Sequence, residues 1–105
     1  MTRMEANRLE FHKLLKELLG SNEVYYQKPV NTKMRYPAII YERDEIANDH
    51  ADGIVFKQEY VYSVQVIDWD PDSVIVDRIS KIPRCRYVRH YVADGLNHDI
   101  FTIYF

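Results

Sequence analysis

The side chains best suited to acid–base chemistry in this chain are its four histidines, His12, His50, His90 and His98. Two of them, His90 and His98, flank Asp94-Gly95, and Asp99 follows directly after the second. A histidine beside a carboxylate can take up and release protons in a hydrolytic reaction. A small nuclease or hydrolase that uses His90 and His98 is therefore one hypothesis for the function.

The expected local structure argues against this hypothesis. If the segments on both sides of the turn are strands, successive side chains point to opposite faces, and the candidate groups are scattered. Asp94, Gly95 and Asn97 are typical turn residues, so a hairpin turn explains them without catalysis. The sequence also contains no P-loop, nucleophile elbow, zinc-ligand spacing or dinucleotide-binding motif. We therefore expect a protein that is not an enzyme.

A second set of candidate ligands lies in the polar segment 44–53, which contains Asp44, Glu45, Asp49 and Asp52 together with His50. Calcium loops of the EF-hand type need alternating oxygen ligands followed by a distant glutamate, and this segment has neither. A solvated acidic loop is the better interpretation. The single cysteine, Cys85, can form neither an internal disulfide nor an all-cysteine metal site. No metal and no cofactor are expected.

Basic and aromatic residues alternate in the segment that begins at Lys81, which includes Arg84, Arg86, Arg89, Tyr87 and Tyr91. Such mixtures can mark nucleic-acid binding, and this is a third hypothesis. The chain as a whole disfavours it, because 14 basic and 16 acidic residues give a net charge of −2, without the basic excess of most nucleic-acid-binding domains. We expect these arginines to form ion pairs with carboxylates of this chain or of a neighbouring copy.

The chain has 105 residues, 47% of them hydrophobic, which predicts one domain spanning residues 1–105 with a core of its own. No apolar run is long enough to cross a bilayer, and the first sixteen residues are too charged for a signal peptide. A soluble protein made in the cytoplasm, with no membrane partner, is expected.

Capping signals predict two helices. Thr2 and Glu5 form a capping-box pattern, apolar residues then recur at helical spacing, and Gly20 is suited to end the helix. Asp70 is the expected N-cap of the second helix, with Pro71 at its first position. Strands are predicted at residues 38–43, 54–69, 85–92 and 98–105, with a shorter one possible at residues 24–26. The predicted fold is α+β, a small domain of order α-β-β-α-β-β with a mainly antiparallel four-stranded sheet and two helices on one face.

Both faces of the predicted sheet are apolar or aromatic. In the long strand, one side consists of Tyr60, Tyr62, Val64 and Val66, and the other of Val61, Ser63, Gln65 and Ile67. Two short helices can cover one face but hardly two. Tyrosine combines a large apolar body with a hydroxyl group and is common in protein–protein contacts. The pattern therefore predicts that the tyrosine-lined face is buried against another copy of the chain.

Three segments resemble the small tail-completion proteins of long-tailed bacteriophages. They are residues 36–41 (YPAIIY), residues 60–73, which end in IDWDPDS, and residues 89–105 (RHYVADGLNHDIFTIYF). The last is the most specific, and the whole chain is similar to that family in length and element order. The resemblance implies a tail-terminator fold, in which α+β subunits assemble into a ring, expected to be hexameric. Such a ring caps the tail tube, stops its polymerisation and joins the tail to the head.

The resemblance also implies roles for segments of this chain. The loop with Asp44, Glu45, Asp49 and Asp52 would face the lumen of the ring, where like charge keeps passing DNA from binding. The aromatic sheet face and the strand edges would form the subunit interface, with these predicted residues: Tyr60, Tyr62, Val64, Arg89, Tyr91 and Tyr104. The implied partners are further copies of the chain, the tail tube protein and the head–tail connector protein, at the neck of the virion. Another connector or neck component is the alternative within this class.

Overall fold

The computed structural model describes residues 1–27 and 33–105, and the elements below are those of these residues. Five strands form one sheet in the order β1-β2-β3-β5-β4, and two helices pack on it. The elements are α1 (Arg3–Leu19), β1 (Val24–Tyr26), β2 (Ala38–Ala51), β3 (Ile54–Asp68), α2 (Val74–Ser80), β4 (Cys85–Ala93) and β5 (Leu96–Tyr104). All neighbouring strands are antiparallel except β1 and β2, which are parallel.

The predicted α+β fold with a four-stranded sheet is wrong, because the sheet is larger and the domain is mostly β. The short segment β1 joins the sheet as an edge strand beside residues 39–41 of β2. In addition, β2 continues to Ala51, through most of the polar segment 44–53 for which the sequence predicts a loop, and pairs with β3 along this length. A strand whose two faces are both exposed to water can consist of charged and polar residues. The polar composition of this segment was therefore compatible with a strand as well as with the predicted loop.

Helix α1 begins and ends where its capping signals predicted. The side-chain oxygen of Thr2 accepts a hydrogen bond from the backbone N–H of Glu5 at 3.0 Å. At the other end Gly20 takes a left-handed conformation, with φ of 80°, and its N–H binds the carbonyl of Lys16. Both contacts satisfy backbone groups that the helix itself leaves unpaired.

Helix α2 begins three residues later than predicted, because Ser73 and not Asp70 is its N-cap. The Ser73 hydroxyl accepts a hydrogen bond from the N–H of Ile75 at 3.2 Å. The preceding aspartates form local turns: Asp68 accepts from the N–H of Asp70 at 3.2 Å, and Asp70 from the N–H of Asp72 at 2.9 Å. Aspartate side chains favour such turns as strongly as they favour caps, so the sequence signal was ambiguous.

The core lies between the two helices and one face of the sheet. From α1, Phe11, Leu15 and Leu19 are buried, and from α2, Ile75 and Ile79. Phe11 is fully buried and stacks on the Tyr62 ring with centroids 4.4 Å apart. Its ring also contacts those of Tyr41 and Phe105, at centroid distances of 5.6 and 4.9 Å. Phe11 is therefore the centre of an aromatic cluster that joins α1 to β2 and β3.

The tyrosine-lined side of β3 is the side that the helices cover. Tyr60, Tyr62 and Val64, predicted to contact another subunit, are 4%, 1% and 0% exposed within the chain's own core. Both helices do pack on one face of the sheet, but the prediction that the tyrosine-lined side is the uncovered one is wrong. The residues that alternate with the tyrosines include the polar Ser63 and Gln65, so the strand pattern itself favoured the tyrosine-lined side as the core face.

The Tyr62 hydroxyl makes the free energy of unfolding fall with rising pH in the alkaline range. Burial raises the pKa of Tyr62 to about 12, and its hydroxyl donates a hydrogen bond to Oδ1 of Asn7 at 2.6 Å. Because the folded state holds this proton more tightly than the unfolded state, the stabilisation is complete below about pH 10 and is lost as the pH rises towards 12. A pKa shift of that size corresponds to a loss of about 2–3 kcal/mol in the free energy of unfolding once Tyr62 is fully ionised.

We therefore expect Tyr62→Phe to reduce the steepness with which the free energy of unfolding falls between about pH 10 and pH 12. Urea unfolding at a series of pH values measures this slope in both proteins. Below pH 10 the variant loses only the hydrogen bond to Asn7, worth about 1 kcal/mol. A variant whose slope equals that of the original chain would show that Tyr62 ionises as freely in the fold as in water.

The two β-hairpins have the same turn. Asp52-Gly53 joins β2 to β3 and Asp94-Gly95 joins β4 to β5, and all four residues have positive φ, between 54° and 77°. Positive φ at both central positions is the property of type I′ turns, which match the twist of the flanking strands. The predicted turn at residues 93–97 is confirmed by this geometry, whereas the turn at residues 52–53 was not predicted.

Replacing the glycine of each turn with alanine is expected to change the free energy of unfolding by different amounts, although both glycines have a φ of 77°. Gly95→Ala is expected to lower the free energy of unfolding by about 1–2 kcal/mol, the usual penalty for an L-residue in left-handed geometry. Gly53→Ala is expected to cost less than about 0.5 kcal/mol, because its turn ends an exposed hairpin that can rearrange without disturbing the core. Urea denaturation compares the two, and equal losses would contradict this difference.

Candidate functional site

The far end of the β2–β3 hairpin is largely exposed to water. We call residues 44–58 the hairpin arm. Three large apolar side chains on it face water: Ile54 is 69% exposed, Val55 47% and Ile46 40%. The molecule measures 51 × 26 × 22 Å, an elongated shape for a chain of this length. A two-stranded hairpin alone is only marginally stable in water, so an arm of this kind normally packs against something else.

The four carboxylates predicted to line a lumen all lie on the hairpin arm, although in a strand and turn rather than in a loop. By the strand register, Glu45 and Asp49 point to the sheet face away from the helices. Asp44 occupies a β-bulge, and Asp52 is in the turn. In the described part of the chain, none of the four forms an ion pair. The arm therefore presents unneutralised negative charge.

The sheet face away from the helices, which we call the open face, is half-buried rather than bare. Ile40, Gln65, Ile100 and Thr102 at its centre are each partly exposed. Ala38, Val61 and Ile67 of the same face are buried within the chain. This face therefore keeps some exposed apolar surface, but less than the sequence led us to expect.

Three of the predicted interface residues, Arg89, Tyr91 and Tyr104, do belong to the open face. The Tyr91 ring stacks on that of His98 at 4.5 Å, and the Arg89 guanidinium lies 5.3 Å from the centre of the Tyr91 ring. Gln65 donates a hydrogen bond to the Tyr91 hydroxyl at 2.9 Å. The structure thus brings Arg89 and Tyr91 together.

Tyr104 lies in a separate group at the other end of this face. The Arg84 guanidinium lies 4.9 Å from the centre of the Tyr104 ring and forms an ion pair with Glu59. Lys57 contacts the other oxygen of Glu59 at 3.4 Å. Arg84 is therefore neutralised within the chain, as the expectation of intrachain ion pairs predicted for this residue.

Strand β4 forms one edge of the sheet and is almost entirely exposed. It pairs with β5 on one side only, and eight of its nine residues are exposed. Tyr87, Val88 and Val92 are 50%, 48% and 60% exposed. Arg86 and Arg89 point to the open face, and no acidic residue occurs between Cys85 and Ala93. We call this strand the basic edge.

The two candidate histidines lie on opposite faces of the sheet. His90 points to the helix side, where its Nε2 lies 3.0 Å from Oδ1 of Asn97, whereas His98 is on the open face. Asp99 is opposite His90 in the strand register, but its carboxylate is buried and accepts a hydrogen bond from the Tyr87 hydroxyl at 2.7 Å. Desolvation of this hydroxyl, followed by its hydrogen bond to Asp99, raises the pKa of Tyr87 to about 12. His90 and Asp99 thus share one side of the sheet, and each is engaged with a different partner.

His12 is also engaged in a contact within the fold, and no metal-ligand cluster accompanies it in the described residues. Nδ1 of His12 lies 2.7 Å from the Tyr41 hydroxyl, and burial, with Lys16 and Arg8 nearby, lowers the pKa of His12. Within residues 1–27 and 33–105 there is no group of three or more potential ligands that could hold a metal ion. Nor does any helix of these residues have the length and apolar character needed to span a bilayer.

Sequence reasoning missed the two features that now stand out, the arm and the basic edge. The pair Asp52-Gly53 was an available signal for the arm, since Asp-Gly between two strands commonly forms a type I′ turn. The exposed position of β4 had no such signal, because strand order in a sheet is set by tertiary packing. Comparison with known proteins adds no assignment, since the chain matches no protein-family model and no curated protein sequence.

Proposed function

We propose that this chain is a structural subunit of a bacteriophage tail, which assembles with copies of itself into a ring at the head-proximal end of the tail tube. The ring terminates the tube, joins it to the head connector and lets DNA pass through its lumen. A six-fold ring is the form that the resemblance to tail-completion proteins implies. The subunit has no catalytic role in this proposal and needs no cofactor.

The observation that carries the proposal is the hairpin arm. Its two strands extend the sheet beyond the core, and Ile46, Ile54 and Val55 on it are left in water. Apolar residues held on an extended arm are suited to pack against a neighbouring subunit, where their burial would stabilise both partners. A subunit designed to remain single would not need this arm.

The charge of the arm fits the proposed passage for DNA. Residues 42–52, which include the first strand of the arm and its turn, contain five carboxylates and one arginine. Repeated around a ring, they would give a negative inner surface, which repels the phosphate backbone and keeps the duplex from sticking. The net negative charge of the chain agrees with a role in which DNA is a passing cargo rather than a ligand.

The proposal is tested by the assembly state of the purified chain. Light scattering after size-exclusion chromatography, combined with negative-stain images, is expected to show a closed ring at high protein concentration or in the presence of tail tubes. Added to polymerising tail tube protein, the chain should bind tube ends and limit tube length. A chain that binds the head connector but never tube ends would instead be another neck component. A chain that stays monomeric under all these conditions would refute both.

A further inference from the structure

Among residues 1–27 and 33–105, two strand edges of the sheet are free, and they lie on opposite sides of it. One is the basic edge, β4, which within these residues pairs with β5 alone. The other is the β2 strand of the hairpin arm, because the described part of β1 pairs with β2 at residues 39–41 and no further. A free edge exposes a row of unpaired backbone N–H and C=O groups that can accept another strand. Each copy of the chain thus has two places where a strand could be added.

The two edges carry opposite charges, and the charged side chains of both point to the open face. Glu45 and Asp49 of the arm point to the open face, as do Arg86 and Arg89 of the basic edge. Opposite charges on neighbouring strands of one sheet face stabilise the pairing, whereas like charges destabilise it. All four side chains are exposed, and no ion pair among the described residues involves any of them.

Side-chain size is complementary as well. On the arm, Ala47 separates Glu45 from Asp49 on the same face, and Ala51 follows at the next position. A bulge at Val88 brings Arg86 and Arg89 to adjacent positions on their face, opposite Thr102 and Ile100 of β5. The small alanines leave room for the long arginine side chains to reach the carboxylates.

We infer that the hairpin arm of one copy adds as a strand to the basic edge of the next copy, with Glu45 and Asp49 paired with Arg86 and Arg89. This inference rests on the proposed ring and names the surface that builds it. Each copy offers one acidic and one basic edge, so the contact is head-to-tail, and such contacts form rings when the rotation closes. Asp44 and Asp52 remain unpaired in this contact, so the negative charge proposed for the lumen comes from them and not from Glu45 and Asp49.

Two charge-reversed variants test the pairing. Arg86→Glu/Arg89→Glu makes both edges acidic, and Glu45→Arg/Asp49→Arg makes both edges basic. Each variant alone is expected to raise the dissociation constant between subunits at least about 100-fold, because like charges then face each other in every contact. An equimolar mixture is expected to assemble again with alternating subunits, since every contact then joins an acidic edge to a basic one. Analytical ultracentrifugation measures assembly in each case.

The control is Arg3→Glu/Lys13→Glu, which makes the same change in net charge as Arg86→Glu/Arg89→Glu, but on exposed positions of α1. It is expected to assemble like the original chain, and circular dichroism verifies that all three variants are folded. Charge-reversed variants that assemble alone, or a mixture that stays dissociated while the original chain forms rings, would overturn the inference and leave the proposed ring standing. An original chain that never assembles would overturn the proposed function and this inference with it.

Discussion

Replacing Phe11 with alanine is expected to lower the free energy of unfolding by about 3–5 kcal/mol, the range measured for phenylalanine in protein cores. Phe11 is fully buried and contacts the rings of Tyr41, Tyr62 and Phe105. Its removal leaves a cavity beneath α1 that these rings cannot fill without moving. A domain of this size has a total stability of about 5–15 kcal/mol, so the variant would retain at most a fraction of it.

Leu9→Ala provides the matched control, because Leu9 is on the same helix but 44% exposed. It is expected to lose less than about 1 kcal/mol, since little apolar surface leaves a buried position. Chemical denaturation followed by circular dichroism compares the two variants. A loss below about 1 kcal/mol for Phe11→Ala would mean that α1 is not held by this aromatic cluster.

A chain with a shortened arm is expected to fold normally and to lose self-assembly. Removing residues 48–51 and 54–58 joins Ala47 and Glu59, which face each other in the two strands, through the existing Asp52-Gly53 turn. The ion pair between Arg84 and Glu59 is retained. The deletion takes away Ile54, Val55 and Asp49, so we expect the dissociation constant between subunits to rise more than about 1000-fold, equivalent to about 4 kcal/mol.

A less drastic form of the same test replaces Ile54 with aspartate. Its control is Val74→Asp, which introduces the same charge at an apolar residue of α2 that is 55% exposed. Only the arm variant is expected to weaken assembly, and thermal unfolding should be nearly the same for both. Rings that persist in the shortened chain would show that the arm is not part of the subunit contact, whereas loss of folding in it would show that the arm supports the core.

The parts of the fold that the sequence predicted well are those controlled by local interactions. The α1 boundaries depend on Thr2, Glu5 and Gly20, which act within one turn of the helix, and the turn at Asp94-Gly95 depends on two adjacent residues. The α2 start was misplaced because aspartates serve equally well in caps and in turns. The fifth strand and the extension of β2 depend on pairing between distant segments, and neither has a strong local hydrophobic pattern.

The candidate site was predicted less well, for a related reason. Alternation along β3 separates Tyr60, Tyr62 and Val64 from a second set that contains the polar Ser63 and Gln65, and this polarity was the available signal for the face away from the helices. The apolar members of the second set, Val61 and Ile67, led instead to the prediction that both faces need cover. The folded chain has Phe11 and Leu15 packed with the tyrosine side. The acidic segment was singled out from its charge, whereas its strand geometry and the exposed β4 edge emerge only in the folded chain.

The arrangement of charge on the two free edges also bears on the life of the subunit before assembly. Two β4 strands placed side by side would bring arginine against arginine, and two arms would bring carboxylate against carboxylate. The bulges at Asp44 and Val88 further interrupt the regular ladder that stacked amyloid strands require. Repulsion between like edges and the interrupted ladder therefore both disfavour fibril growth by edge-to-edge addition.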